Sequence, residues 1–373
     1  MGHGPPQGPA GAVANRRVAR PPRPRDGGTD LASEATIRAG IIGYGGAFNM
    51  GRHHAGSINA QPGMHTVAIC DLDPARRAAA KADFPDVETY ADYHDMLAAG
   101  IDLAVVILPH NLHAATAIDC SNAGAHVVTE KPMCITAAEA TAMIEAARKA
   151  GRTLTTFHNR RHDGDYHTLR RIVDQGLLGD VFHVEMFGGG YGHPGHWWRA
   201  DKKISGGHFY DWGAHYLDWL LGVVPSRVRE VRGFFRKLRW MDVTNEDHVE
   251  AMLVFENGVT ADIQMSSVAR VGKPRWHILG TRGGLESADG HFRVQTEVEG
   301  LGTSMTVPYQ ESRWDSYYGE LAEHLLRGGP LDVRPEQARR VIAIMEAAEV
   351  SAREGRAVPV PHEDEVDPAD RMH

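Results

Sequence analysis

Three side chains in two short strings have the chemistry to move a proton beside a reacting carbon. They are Lys131 in Glu130-Lys131-Pro132, and Asp211 and His215 in SGGHFYDWGAHYLDW. Histidine has an unperturbed pKa of about 6.5, so modest shifts keep it able to take a hydroxyl proton near neutrality. A lysine ammonium stabilises a developing alkoxide; desolvated, it can accept the proton itself. Asp211 and His215 are four residues apart, so on a helix both project from one face. We read His215 as the base and Lys131 as the electrostatic partner, with Lys131 as proton acceptor the rival assignment. Asp211 then orients His215 or hydrogen-bonds a substrate.

The same stretch is crowded with Tyr191, Trp197, Trp198, Tyr210 and Trp212. Aromatic faces stack on sugar rings, but most buried aromatics only fill cores. Trp198 and the adjacent Arg199 are the best substrate contacts among them. Of the 22 histidines, many fall between His158 and His215, including His193-Pro-Gly-His196 and His162-Asp163. No HExxH or comparable ligand frame appears, so no metal is expected.

These groups need a scaffold, and the chain advertises one. From about Ile37 to Ala150, apolar strand candidates (Ile37–Ile42, Thr66–Cys70, Leu103–Leu108, His126–Thr129) alternate with helical stretches. Near-continuous apolar strands separated by helices predict a doubly wound parallel sheet. After the first strand comes Gly43-Tyr44-Gly45, and Asp71 ends the second. The glycines let backbone approach a pyrophosphate at a helix N-terminus, and the acid accepts hydrogen bonds from ribose hydroxyls while repelling a 2′-phosphate. This predicts a Rossmann domain that prefers NAD. The third glycine of the usual spacing falls at Phe48 and the next is Gly51, so the loop carries three extra residues.

After about Thr156 the pattern changes. Helices are predicted over 165–175, 209–221 and 337–352, and strands succeed one another from Val228. Asn257-Gly258 predicts a two-residue hairpin, and Gly283-Gly284 and Asp289-Gly290 punctuate the next runs. The expected class is therefore α/β: an N-terminal doubly wound parallel sheet plus a C-terminal α+β domain with a large, mostly antiparallel sheet. Its divisions are a disordered extension at 1–35, a dinucleotide domain at 36–156, a substrate and oligomerisation domain at 157–355, and a tail at 356–373 that reads as loose after Pro359.

Composition excludes several classes. With 373 residues, the chain is long enough for two cores. A net charge of −8 argues against nucleic acid, and no apolar run is long enough to span a membrane. Three scattered cysteines, Cys70, Cys120 and Cys134, read as reduced thiols in a cytoplasmic protein. Arg16-Arg17 is followed by no apolar segment, so export is not expected.

Four strings, GIIGYG…GRHHAGSI, VAICDLDPAR, DLAVVILPHNLHAATAIDCSNAGAHVVTEKP and WWRADKKISGGHFYDWGAHYLDW, carry a resemblance to the Gfo/Idh/MocA oxidoreductases. The resemblance spans about Ile37 to Ala352. It implies NAD or NADP on the first domain, with Gly43, Gly45, Phe48, Asn49, Asp71, Pro109, Asn111, His113, Glu130 and Lys131 along the cofactor. It implies Lys131, Asp211 and His215 as catalytic residues. A sugar or polyol would then lie against Asn159, Trp198, Arg199, Asp211 and His215, and the open sheet would join a homodimer or homotetramer. The activity implied is oxidation of a secondary hydroxyl of a sugar, glycoside or cyclitol. Two alternatives share the fold: a glycosidase that retains NAD and oxidises its substrate transiently, and a sugar-sensing regulator without catalysis.

Overall fold

The computed structural model describes residues 36–365, together with Met1 and Asp367. The extension expected as disordered at 1–35 lies outside the described residues, apart from Met1.

The first sheet has six strands, all parallel: β1 (Ile37–Ile42), β2 (Met64–Cys70), β3 (Glu88–Tyr90), β4 (Leu103–Val106), β5 (His126–Thr129) and β6 (Leu154–Thr156), in the order β3-β2-β1-β4-β5-β6. Their crossovers carry helices α1 (Met50–Asn59), α2 (Pro74–Asp83), α3 (Tyr93–Ala98), α4 (His113–Asn122) and α5 (Ala137–Ala150). Residues 103–106 are buried throughout, which only an apolar strand covered on both faces sustains. Helix α5 starts at a capping box in which Thr136 and Glu139 exchange bonds, and stops at Gly151 in the left-handed region. Strand order reverses at β1, whose neighbours are β2 and β4. The crevice beyond the carboxyl ends of β1 and β4 is therefore the binding position of such a sheet.

The second half contributes α6 (Gly164–Asp174), β7 (Val181–Gly189), α7 (Lys202–Ser205), α8 (His208–Val223), β8 (Val228–Arg236), β9 (His248–Phe255), β10 (Thr260–Ser266), β11 (Trp276–Gly280), β12 (Gly283–Ala288), β13 (His291–Val298), β14 (Leu301–Pro308), α9 (Ser316–Arg327), α10 (Pro335–Glu354) and β15 (Val358–Pro359). The nine strands form one sheet, antiparallel except where β7 runs parallel to β10. Helix α10 packs against β8, α8 and α5, so one core runs from the second sheet into the first. Helix α9, which sequence reading did not single out, returns to the first sheet. There Tyr317, Tyr318 and Leu321 pack with Ile41, Val105, Val128 and Phe157.

Three local expectations change. The Asn257-Gly258 hairpin has a three-residue loop, since the Phe255 amide donates to the Val259 carbonyl and Gly258 takes φ 87°. Gly283-Gly284 does not form a turn but opens β12. The tail, expected to be loose after Pro359, is packed as far as Glu365. Val358 pairs with Val231 of β8, and buried Glu363 accepts two 2.7 Å bonds from Arg340 and one of 2.6 Å from the Val228 amide. A carboxylate so rich in charge cannot be read from a polar tail, because its partners lie in α10 and β8.

Removing one member of a buried ion pair leaves the other charge uncompensated, at about 3–5 kcal/mol. Glu363→Ala is therefore expected to lower stability by about 3 kcal/mol, read as a shifted urea midpoint. An unchanged midpoint would show that the segment contributes nothing.

Candidate active site

A cleft of about 1210 Å³ opens beyond the carboxyl ends of β1 and β4 and runs between the two sheets. That is larger than the roughly 300–1,000 Å³ of a drug-sized site, with room for a dinucleotide and a small substrate together.

At one end lies the glycine loop. Gly43 has φ 98°, and a Cβ there would come 2.1 Å from the Ile107 carbonyl oxygen, so only glycine fits. Gly45 faces open space. Asn49, at φ 51°, starts α1 without a side-chain cap, and the first turn holds no acid. The first amides of α1 therefore lack intrahelical acceptors and keep their positive end for an anion. Asp71 is held at the rim, where Oδ2 accepts from the Tyr44 amide at 2.7 Å and Oδ1 from the Asp73 amide at 2.9 Å. These features fit a dinucleotide pyrophosphate and its ribose.

At the other end, α8 and the end of β5 meet. Lys131 Nζ donates to Asp211 Oδ1 at 2.7 Å and to its carbonyl at 2.9 Å, and Arg199 donates to the same Oδ1 at 2.6 Å. Burial would raise the Asp211 carboxyl, but the Lys131 and Arg199 charges outweigh it and hold it well below the usual range. His215 is pushed the other way: burial, then Lys131, His158 and Arg160, keep its imidazole far below 6.5. It is neutral at pH 7, and Nδ1 has no hydrogen-bond partner among the described residues. Asp211 thus does not orient His215; its carboxylate is committed to the two cations. Glu130, with its side chain 13% exposed, is placed by His54 Nε2 at 3.1 Å and by the Lys131 amide at 3.0 Å. Burial would raise its carboxyl, but His54 and Lys131 bring it down to about 2. His54 in turn meets the Tyr318 hydroxyl of α9 at 2.6 Å.

Of the residues singled out, Gly43, Gly45, Phe48, Asn49, Asp71, Pro109, His113, Glu130, Lys131, Asn159, Trp198, Arg199, Asp211 and His215 line the cleft. Asn111 does not. It sits in the short turn before α4, with its side chain exposed to solvent. His113 reaches the cleft, with Nδ1 2.9 Å from the Pro132 carbonyl oxygen and Nε2 2.8 Å from that of Leu108, and its neutral ring donates to one of the two. It braces the Lys131-Pro132 segment and offers no polar atom to a cofactor. Tyr191 and Tyr210 also lie outside the cleft, Tyr210 in the core.

Sequence reasoning missed Arg160, Trp314 and Arg76. Arg160 lies over the rings of Trp212 (5.4 Å) and Trp314 (4.8 Å), and all three line the cleft. Trp314 is over 150 residues beyond Arg160 in the chain, and no local pattern joins them. Phe48, in the extended part of the loop, reaches across to Trp197 (5.7 Å between rings) and to the Arg199 guanidinium (5.3 Å).

Residues 37–158 match the oxidoreductase family with an NAD-binding Rossmann fold, and residues 166–286 match the GFO/IDH/MocA C-terminal domain. The chain belongs to the Gfo/Idh/MocA oxidoreductase family. It is 26% identical to the scyllo-inositol 2-dehydrogenase (NADP(+)) IolW of Bacillus subtilis, over 88% of this chain and 97% of that one. It is equally 26% identical to the myo-inositol 2-dehydrogenase of Thermotoga maritima, over 86% and 98%. Among solved structures, an NAD-binding protein from Listeria innocua superposes with TM-score 0.79 at 26% identity, covering 88% of this chain and 98% of that one. No helix among the described residues is long and apolar enough to cross a membrane.

Gly43→Ala places a side chain at positive φ and against a carbonyl; left-handed strain alone is worth about 1–3 kcal/mol. The expected outcome is a lower Tm and loss of dinucleotide binding, measured by quenching of protein fluorescence. Unaltered binding would remove Gly43 from the cradle.

Proposed function

We propose that this protein oxidises a secondary hydroxyl of a sugar, glycoside or cyclitol, with NAD as electron acceptor. One observation carries the reading: the uncapped start of α1, Lys131 and a neutral buried His215 open into the same cleft. The two relatives named as inositol 2-dehydrogenases support a polyol-like substrate.

When bound, the nicotinamide supplies the two-electron acceptor. His215 takes the hydroxyl proton, for which its neutral form is required. The Lys131 ammonium, held by Asp211, faces the oxygen as negative charge develops there. Trp198, Trp212 and Trp314 offer faces to the substrate ring, and Asn159, Arg160 and Arg199 offer donors to its hydroxyls. Asp71 and Asp73 both line the cleft beside the glycine loop, where carboxylates would accept from adenosine ribose hydroxyls and repel a 2′-phosphate. Exposed Met252 lies on the nine-stranded sheet, the element we assign to a homodimer or homotetramer. Three buried, unpaired cysteines suit a cytoplasmic setting.

Reduced-cofactor absorbance across a panel of sugars, cyclitols and glycosides, with product analysis, tests the activity. Release of aglycone without net NADH would replace this reading with the NAD-retaining glycosidase.

Cofactor choice has its own test. Asp71→Ser combined with Leu72→Arg, at a residue 86% exposed, should move preference from NAD toward NADP. Native kinetics already favouring NADP would overturn the assignment.

The proton chemistry is separable from cofactor binding. Removing a positioned acid–base group costs ~10²–10⁴ in rate, and an electrostatic stabiliser ~10²–10³. His215→Ala and Lys131→Ala should each lower turnover at least about a hundredfold, with NAD affinity nearly unchanged. Because burial and neighbouring cations depress His215, its inflection in oxidative turnover in the free enzyme should lie below pH 6.5, with the rate falling as pH falls. That inflection should vanish in His215→Ala. An inflection that survives His215→Ala and disappears in Lys131→Met would make Lys131 the acceptor instead.

A further inference from the structure

Behind the cleft wall, three segments bring together side chains that the oxidoreductase chemistry does not use. His162 ends the short turn after β6, Glu320 lies on α9 and Asp332 precedes α10. Their ligand-type atoms all lie within 4.8 Å of one another. His162 is only 5% exposed, and its Nε2 has no hydrogen-bond partner among the described residues. Glu320 Oε2 is 3.5 Å away from it. A buried polar atom without a partner calls for a group to satisfy it, such as a bound ion.

We propose that His162, Glu320 and Asp332 form a binding site for one divalent transition-metal ion of the zinc or manganese kind.

Geometry supports this first. Ligands about 2.0–2.2 Å from a metal sit roughly 3.0–3.5 Å apart, so the His162–Glu320 separation already suits a shared ion. One imidazole and two carboxylates are a hard-to-borderline donor set, suited to zinc or manganese more than to copper(I). Charge supports it second. Arg161 stands 3.8 Å from Asp332 Oδ1, but its guanidinium is also shared with Asp218 at 2.9 and 2.8 Å. Asp218 and Asp332 therefore both face Arg161, with Arg313 the other cation near Glu320. The neighbouring residue Asp163 holds both Arg160, at 3.3 Å, and Trp314, at 2.5 Å, on the cleft wall. An ion here would pin that wall from behind. Sequence shows no ligand frame because the three ligands are scattered over 170 residues of chain.

A second cluster, His193, His196 and Asp242, is exposed and must be removed from the measurement. There the Gly195 amide donates to His193 Nδ1 at 3.0 Å, which fixes the proton on Nε2 and opposes coordination by that atom. The full-length protein carrying His196→Ala is stripped with chelator and titrated with Zn²⁺ by calorimetry and with Co²⁺ by visible absorption. Expected are one equivalent of saturable binding, a Co²⁺ ligand-field band and a higher Tm with Zn²⁺. Glu320→Gln, at a half-exposed helix position, should weaken binding at least tenfold and abolish the rise in Tm. His162→Gln should do the same. Unchanged NAD affinity in both variants would show that the fold is intact. Absence of saturable Zn²⁺ binding below 1 mM, or binding indifferent to both substitutions, would overturn the site. The first result would leave Glu320 itself as the partner of His162. Neither result bears on the dehydrogenase reading, which is measured by NADH production.

Discussion

The Asp211 carboxylate lies between the Lys131 ammonium at 2.7 Å and the Arg199 guanidinium at 2.6 Å, and through it the two sheets build one site. Lys131 comes from the end of the first sheet, Asp211 from the first turn of α8 and Arg199 from the loop ahead of it. The Asp211 side chain is 38% exposed, and two cations within hydrogen-bond distance hold its charge in place. Its position therefore fixes theirs. Burial, and then the Lys131 charge, depresses His215 and keeps its ring neutral. Arg199 also lies over Trp198 at 4.7 Å and Phe48 at 5.3 Å, so the same ion group reaches the extended glycine loop.

Around that centre, buried charges are consistently paired across chain segments. Arg161 joins Asp218 of α8 to the Asp332 carbonyl. Glu130 joins the Lys131 amide to His54 of α1, and His54 joins Tyr318 of α9. Arg340 of α10 holds Glu363. Such pairs add little net stability over apolar packing, but breaking one is costly, so they set which segments must meet. The hydrophobic core is less selective: α10 is buried along most of its length among small and branched residues.

Much of the first sheet was legible because its signals are local. The buried strand β4 is apolar in every position, and α5 carries its own start and stop in Thr136, Glu139 and Gly151. Where signals were short or ambiguous, reading failed: three-residue β3 and β6 are too brief for periodicity, and α9 follows a polar stretch that masks its start. Gly283-Gly284 resembled a turn because glycine is permissive in isolation, yet in β12 close backbone approaches explain it: a Cβ at Gly283 would meet the Gln295 carbonyl oxygen at 2.4 Å.

By itself, the sequence determined the residue types and their local frames: a strand ending at Gly43, an acid ending the next strand, and an aspartate and a histidine one turn apart on α8. Those follow from bonding along a few consecutive residues. Only the tertiary structure decided their partners and charge states. Asp211 turned to Lys131 and Arg199 rather than to His215, His113 became a brace for Pro132, and Arg160 met Trp314. Hydrogen-bond geometry and desolvation act through space, over a few ångströms between residues far apart in the chain, and no spacing along the sequence encodes them.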